Sequence, residues 1–253
     1  MKRSGKKHRR LIIALMLILI AAVICLALKL KFGILSISPD DQVTNPLAGE
    51  SFSRGTCLTD PEAIPEFSGA DYIELNGNQP NFTEYDIKHI HGEYYSELDK
   101  LERCGPAVAM LDQTMMPAED RGSIGRIKPS GWHTVKYPEL IEDNYLYNRC
   151  HLIAYAMTGQ NDNEKNLITG TRYLHVSGML PFEKKVLHEL DRSDQKILYR
   201  VTPFFKDKEL VARGVEMEAY SVEDHGKSVC FHVFVYNQQP GVTIDYQNGE
   251  SHA

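Results

Sequence analysis

Hydrophobic and polar positions along the chain mark out three stretches of different character. Leu11–Leu28 (LIIALMLILIAAVICLAL) is apolar throughout, and as a helix it would span roughly 27 Å at about 1.5 Å per residue, close to the thickness of a bilayer core. From Gly33 to about Phe67 neither the helix nor the strand period persists, and SPDDQVTNPLAGESFSRG and DPEAIPEF have the composition of a tether. From Tyr72 onward short apolar runs predict strands at Tyr72–Leu75, Ala107–Leu111, Ile197–Phe205, Val211–Ala219 and Val229–Tyr236. The last three are rich in β-branched and aromatic residues and are separated by the polar turns KDKE and EDHGK, which predicts an antiparallel meander. One helix is predicted over Thr171–Leu190, with Leu174, Gly178, Leu180, Val186, Leu187 and Leu190 available for packing. The expected fold class is α+β, a helix against a central, mainly antiparallel sheet, preceded by an N-terminal transmembrane helix.

Charge sets the direction of that helix. MKRSGKKHRR precedes the apolar run, and such a basic cluster keeps its own end cytoplasmic. The expected organisation is a basic cytoplasmic tail at residues 1–10, a membrane anchor at 11–30, an extracytoplasmic linker at 31–68 and a folded domain at 69–253. A cleaved secretion signal is the competing reading, but the exit LALKLKF lacks a small-x-small cleavage site, and Ile24 is too bulky for lipid processing at Cys25. Composition excludes wholesale disorder, since 42% of the 253 residues are hydrophobic and 25% charged. The formal net charge is −6, but residues 1–32 hold eight Lys and Arg and no acid. The remainder therefore carries 20 basic against 34 acidic residues, a net −14. A body this acidic is no bulk polyanion binder, so contact with nucleic acid requires a local basic site. Cys57, Cys104, Cys150 and Cys230 allow three disulfide pairings that spacing does not separate, no CxxC is present, and His89/His91 reads as a surface loop rather than a metal site.

Candidate chemistry concentrates in Tyr147–Glu183 (YNRCHLIAYAMTGQNDNEKNLITGTRYLHVSGMLPFE). If Asn148–Ile153 is extended, Arg149 and His151 share one face, a cation beside a base, while Cys150 points into the core or towards a disulfide partner. In the predicted helix His175, Met179 and Glu183 recur at helical spacing on one face, which on its own would read as a solvated stripe. The loop Gly159–Asn166 delivers Asn166 just before it. A local basic site also exists: Arg121, Arg126, Lys128 and Lys136 lie between Asp120 and Glu139 with no acid among them, and Trp132 and His133 stand in the same run. Lys and Arg there would bind phosphate without reading sequence. Trp132 either stacks on a base or packs in the core, and the second is favoured.

These residues carry a resemblance. The chain is similar, over roughly residues 70–247, to the DNA/RNA non-specific endonucleases, the ββα-metal or His-Me finger nucleases, and most to their membrane-anchored streptococcal DNA-entry type. The family's Asp-Arg-Gly-His stands here as Asn148-Arg149-Cys150-His151, its loop Asn as Asn166 in NLITGTRYL, and its helical metal-binding Asn and following Glu as His175 and Glu183. YIELNGNQPNFT, RGSIGRIKPSGWH and VYNQQPGVTIDY extend the similarity. The resemblance implies a metal-dependent hydrolase cutting phosphodiester bonds of DNA and probably RNA to 5′-phosphate ends. His151 would be the general base, Arg149, Arg121 and Glu183 further catalytic groups, and His175 and Asn166 the metal ligands. Arg121, Arg126, Lys128, Lys136 and Arg149 would bind substrate. The implied cofactor is Mg²⁺ or Mn²⁺; His175 in place of an amide ligand shifts preference towards softer divalent ions. Two other readings stand beside this one: a catalytically impaired nuclease fold that binds DNA or a partner protein, kept open by His175, and a zinc-stabilised structural domain, supported only by scattered histidines.

Overall fold

A computed structural model describes residues 64–253. The apolar run at 11–30, the tail before it, Cys57 and most of the tether lie outside the described residues, among which no helix is long and apolar enough to cross a membrane. The centre of the domain is a six-stranded antiparallel sheet in the order β1-β8-β7-β6-β3-β2. These strands are β1 (Tyr72–Glu74), β2 (Gly92–Tyr95), β3 (Ala107–Leu111), β6 (Ile197–Phe204), β7 (Gly214–Ser221) and β8 (Cys230–Tyr236). The expected meander is β6-β7-β8. Strand β7 begins at Gly214 rather than Val211, because the Leu210 and Val211 amides both donate to the Tyr246 carbonyl and are drawn away from the ladder. Strand β2 has no counterpart among the predicted strands: it is an edge strand whose residues are exposed or half-buried, so it lacks the apolar alternation that marks a strand.

Alternation divides the sheet into two faces. One presents Ala107, Ala109, Tyr199, Val201, Val215, Met217, Phe231, Val233 and Val235 to the main core. Against it pack a two-stranded hairpin, β4 (Tyr147–His151) and β5 (Leu167–Thr171), and a helical segment that starts as a π-helical turn at Leu174–Met179 and continues as an α-helix at Leu180–Arg192. The π turn has a covalent cause. Pro181 has no N–H for the Ser177 carbonyl, and its ring crowds that carbonyl, so the Leu180 amide reaches back five residues to the His175 carbonyl. Gly178 lets this turn touch the sheet, since a Cβ there would stand 2.2 Å from Val235 Cγ1.

The other face is partly charged. Val108, Met110 and Leu198 are covered by the capped helix α1 (Glu84–His89) and its flanks, and Phe204, Phe234 and Tyr236 by Ile64 and Phe67, the described end of the tether. Between these apolar clusters β6, β7 and β8 place Arg200, Glu216, Glu218 and His232, all buried. His89 closes α1 with its ring stacked on Tyr85 and its Nδ1 at the Tyr85 carbonyl; both His89 and His91 are exposed, as expected, but His89 ends a helix rather than standing in a loop. Cys104, Cys150 and Cys230 are free thiols, and none bridges another described cysteine.

Candidate active site

The hairpin places the motif residues. Strand β4 pairs with β5 from Tyr147↔Thr171 to His151↔Leu167, so alternate side chains of Asn148–His151 point to opposite sides. Cys150 enters the core, where it is 1% exposed, and burial pushes its thiol well above the usual range. The room for its sulfur comes from Gly170: a Cβ there would lie 2.4 Å from Cys150 Sγ and 2.9 Å from Leu174 Cδ2. Gly170→Ala is therefore expected to cost about 1–3 kcal/mol through overpacking. A fall in thermal midpoint in Gly170→Ala that is relieved in Gly170→Ala/Cys150→Gly would be read by calorimetry; an unchanged midpoint would contradict this packing.

His151 stands at the end of β4, almost fully buried. Its Nε2 lies 2.9 Å from the Asn161 carbonyl, which only accepts, so Nε2 carries the proton and Nδ1 is left with a lone pair. Burial first, then the charge of Arg121 and the neighbouring His175, lower its pKa to about 4, although hydrogen bonding to the Asn161 and Gln160 backbone opposes them. The ring is neutral near pH 7 and able to accept a proton.

A cleft of about 460 Å³ is lined by Arg121, Trp132, Asn148, Arg149, Arg172 and His175 among others; His151, two residues beyond Arg149 on β4, is not part of that lining, although Arg121 and His175 are near enough to act on its pKa. Arg121 is exposed at this cleft. Arg149 donates from Nε to the Ile127 carbonyl at 2.5 Å and from Nη2 to the Gly125 carbonyl at 3.0 Å, while its guanidinium stacks 3.9 Å from the centre of the Trp132 ring. It thus holds the basic loop against the hairpin and presents only part of its donor set. Trp132 packs with the Val211 and Tyr246 cluster, as favoured from sequence, with one face under Arg149. His175 is half-buried at the π turn, its Nδ1 3.1 Å from the Asn148 amide nitrogen. Burial, followed by the charges of Arg172 and Arg121, lowers its pKa, which keeps the ring neutral and its lone pair available. Met179 is fully buried and Glu183 only 4% exposed, so the His175, Met179 and Glu183 stripe faces the protein rather than solvent. Burial raises the Glu183 carboxyl to about 7.

Several expected roles change. Asn166 is fully buried, and its amide is consumed by Ile153: Oδ1 accepts from the Ile153 amide at 2.8 Å and Nδ2 donates to its carbonyl at 2.9 Å. It braces the turn after His151 and has no group left for a metal, so it is a structural residue. Arg126 is exposed, ion-paired with Asp162 across the loop, and outside the cleft lining. Lys136 lies over the Tyr145 ring, 4.7 Å from its centre, and neither it nor the exposed Lys128 is part of the cleft lining. Glu183 is likewise outside that lining. Arg172, missed from sequence, lines the cleft and is ion-paired with Asp143. Its position three residues before His175 in a helical segment was the available signal.

Among the cleft's lining side chains the one imidazole is His175 and there is no carboxylate, while three arginines oppose a bare cation, so a divalent ion held at His175 would need water and substrate phosphate to complete its shell. Among the described residues, the group of three acid or imidazole side chains close enough to share an ion is Glu216, Glu218 and His232, with ligand atoms within 4.8 Å of one another. It lies on the far face of the sheet and is satisfied as it stands. Glu218 binds Arg200 and accepts from the Asn81 amide at 2.7 Å, while His232 meets Glu216 through Nε2 and the Gln79 carbonyl through Nδ1. Burial lowers the His232 pKa, but the Glu216 hydrogen bond and the two carboxylate charges outweigh it and raise it overall, as an ion-pair network requires.

Comparison with known proteins decides the family. The model of the DNA/RNA non-specific endonuclease family matches residues 82–223, which span β2 to β7 and hold the whole hairpin and cleft. The chain belongs to that family. A deoxyribonuclease of Streptococcus dysgalactiae subsp. equisimilis is 32% identical over 112 residues, 42% of this chain and 33% of that protein, so the match spans about a third of the relative's length. Among solved structures, NucA from Streptococcus agalactiae with a magnesium ion bound is 29% identical with a TM-score of 0.63, over 72% of this chain and 87% of that one. Sda1 nuclease with a bound zinc ion is 25% identical with a TM-score of 0.60, over 72% of this chain and 96% of that one. Of these two solved structures, one holds a magnesium ion and the other a zinc ion.

Proposed function

We propose that this nuclease is a metal-dependent, sugar-non-specific endonuclease that cuts DNA and RNA to 5′-phosphate ends outside the cytoplasm. It would be held by a membrane anchor at residues 11–30, with residues 1–10 cytoplasmic, 31–68 a linker and 69–253 the catalytic domain; release after signal cleavage is the alternative form. The observation that carries the catalytic reading is the neutral, buried His151, with Nε2 committed to the Asn161 carbonyl and Nδ1 unprotonated, under the electrostatic influence of the cleft residues Arg121 and His175.

In this mechanism the scissile phosphate binds between Arg121 and Arg172, whose charges offset that of the non-bridging oxygens. Arg149 contributes mainly by fixing the loop that carries Arg121. His151 Nδ1 takes a proton from the attacking water, a contribution of about 10²–10⁴ in rate. A divalent ion held at His175 would supply positive charge to the leaving 3′ oxygen. Glu183, on the buried face of the helix and outside the cleft lining, does not touch substrate. With one imidazole as protein ligand, manganese, cobalt, nickel or zinc should be preferred to magnesium. The test is incubation of plasmid DNA and of RNA with the full-length protein and a divalent ion. Both should be cut, leaving ends that ligate without prior phosphorylation. Intact nucleic acid that is merely retarded on a gel would instead identify a binding protein.

A further inference from the structure

We infer that Tyr145 is a stacking platform for a nucleobase next to the scissile phosphate, so that the cleft takes strands with unpaired bases in preference to intact duplex. The inference rests on the proposed reading of the cleft as the nucleic-acid site. Three aromatic rings line that cleft: Trp132, Tyr145 and Tyr147. Trp132 packs with the Val211 and Tyr246 cluster and has one face under Arg149. Tyr147 is buried, and its hydroxyl donates to the Gly249 carbonyl at 2.9 Å. Of the three, it is Tyr145 that is exposed, at 42%.

The backbone holds this ring in place. Lys136 and Tyr145 face each other across an antiparallel bridge, flanked by hydrogen bonds from the Tyr137 amide to the Asn144 carbonyl at 2.7 Å and from the Leu146 amide to the Val135 carbonyl at 3.0 Å. Side chains alternate along such a ladder, so Leu146 enters the core, fully buried, while Tyr145 stands on the open side. Bridge partners point to the same side, which is why Lys136 Nζ lies 4.7 Å from the ring centre. The same arm is tied to an arginine proposed to hold phosphate: the Arg172 amide donates to the Leu146 carbonyl at 2.8 Å, and its guanidinium pairs with Asp143. A phosphate contact and an aromatic ring thus share one frame, with the Lys136 cation at the ring. Stacking uses the π-face that every base has, so such a platform adds affinity without reading sequence. A base of a single strand can turn onto the ring readily, whereas a base in a duplex must first be unpaired and unstacked.

The experiment compares kcat/KM of the full-length protein and its variants in the divalent ion in which the parent cuts fastest. The substrates are a single-stranded oligonucleotide, its duplex, and a single strand of the same length whose sugars carry no bases. The parent should favour the base-bearing single strand over the other two. Tyr145→Ala should lower kcat/KM on that strand about 5–150-fold, the loss expected for one aromatic stacking partner, and by at most about twofold on the duplex and the base-less strand. Tyr145→Phe, which keeps the ring, should retain the parent's preference. An equal fall on base-bearing and base-less strands would mean that Tyr145 only supports the cleft wall, and no fall on either would mean that the ring is not used. Each of these results overturns the inference while leaving the cleft as the site of cleavage. If Tyr145→Ala fails to fold, a parent that cuts the base-less strand as fast as the base-bearing one overturns it equally. No cleavage of any strand by the parent sinks the proposed nuclease activity and the inference with it.

Discussion

Replacing His151 with alanine is expected to lower kcat for phosphodiester cleavage by about 10²–10⁴ while the protein stays folded by circular dichroism. The size follows from what the ring does. Its Nε2 is fixed to the Asn161 carbonyl, so no reorientation is needed before Nδ1 takes a proton, and near pH 7 it does not first have to shed one. The same environment sets the pH profile. The folded pKa of about 4 lies below the ordinary value of about 6.5, so the native state binds fewer protons than the unfolded one. The associated stability is complete above pH 6.5 and is lost as pH falls towards 4, and the catalytic base titrates out in the lower part of that window. Glu183 works in the opposite sense: its raised pKa favours the fold at acid pH, and that contribution is lost as pH rises through about 7. The acid limb of kcat/KM should accordingly lie well below the pH 6.5 of an exposed histidine. Full activity in a folded His151→Ala protein would mean that another group takes the water's proton.

The largest expected effect on stability lies on the other face of the sheet. Arg200 and Glu218 are 4% and 1% exposed at the side chain, with Nη2 and Oε2 2.6 Å apart. Arg200→Ala would strand the Glu218 carboxylate in the interior at a cost of about 3–5 kcal/mol. At roughly 2–4 °C per kcal/mol for a domain of this size, the thermal midpoint should fall on the order of 10 °C. Since Glu218 also holds the Asn81 amide, and His232 the Gln79 carbonyl, the segment leading into α1 should exchange its amide hydrogens faster. The paired replacement Arg200→Met/Glu218→Leu removes both charges and should recover much of the loss. A midpoint within 2 °C of the parent in Arg200→Ala, roughly the effect of 1 kcal/mol or less, would show that this pair is not what holds the segment.

The parts of this fold that were legible in the sequence are those whose burial writes a period into the chain. Strands β6, β7 and β8 alternate between a deeply apolar face and a mixed one, and the helix after β5 carries its apolar residues at helical spacing. Strand β2 was silent because an edge strand needs no apolar alternation, and the π turn because its cause is a missing N–H at Pro181 rather than a pattern. At the site, His151, Arg121, Arg149 and His175 were named through the family resemblance, and the structure brings Arg121, Arg149 and His175 to one cleft, with His151 two residues beyond Arg149 on β4. Asn166 was misread because spacing cannot distinguish an amide aimed at a cleft from one that closes a turn on Ile153. Arg126 looked free because its partner, Asp162, is remote in sequence, and Arg172 was overlooked because it stands apart from the acid-free run of basic residues. Of the basic run expected to bind phosphate, only Arg121 lines the cleft, where Arg149 and Arg172 join it; Arg126, Lys128 and Lys136 lie outside.

The central claim is that a divalent ion at His175 and the base His151 act together on phosphodiesters. The most direct measurement is plasmid cleavage by the full-length protein and its His175→Asn variant in Mg²⁺, Mn²⁺, Co²⁺, Ni²⁺, Zn²⁺ and EDTA. The parent should cleave in Mn²⁺ or a softer ion better than in Mg²⁺ and be inactive in EDTA, and the variant should shift towards Mg²⁺. No cleavage by the parent in any ion, while His175→Asn cleaves, would contradict the account.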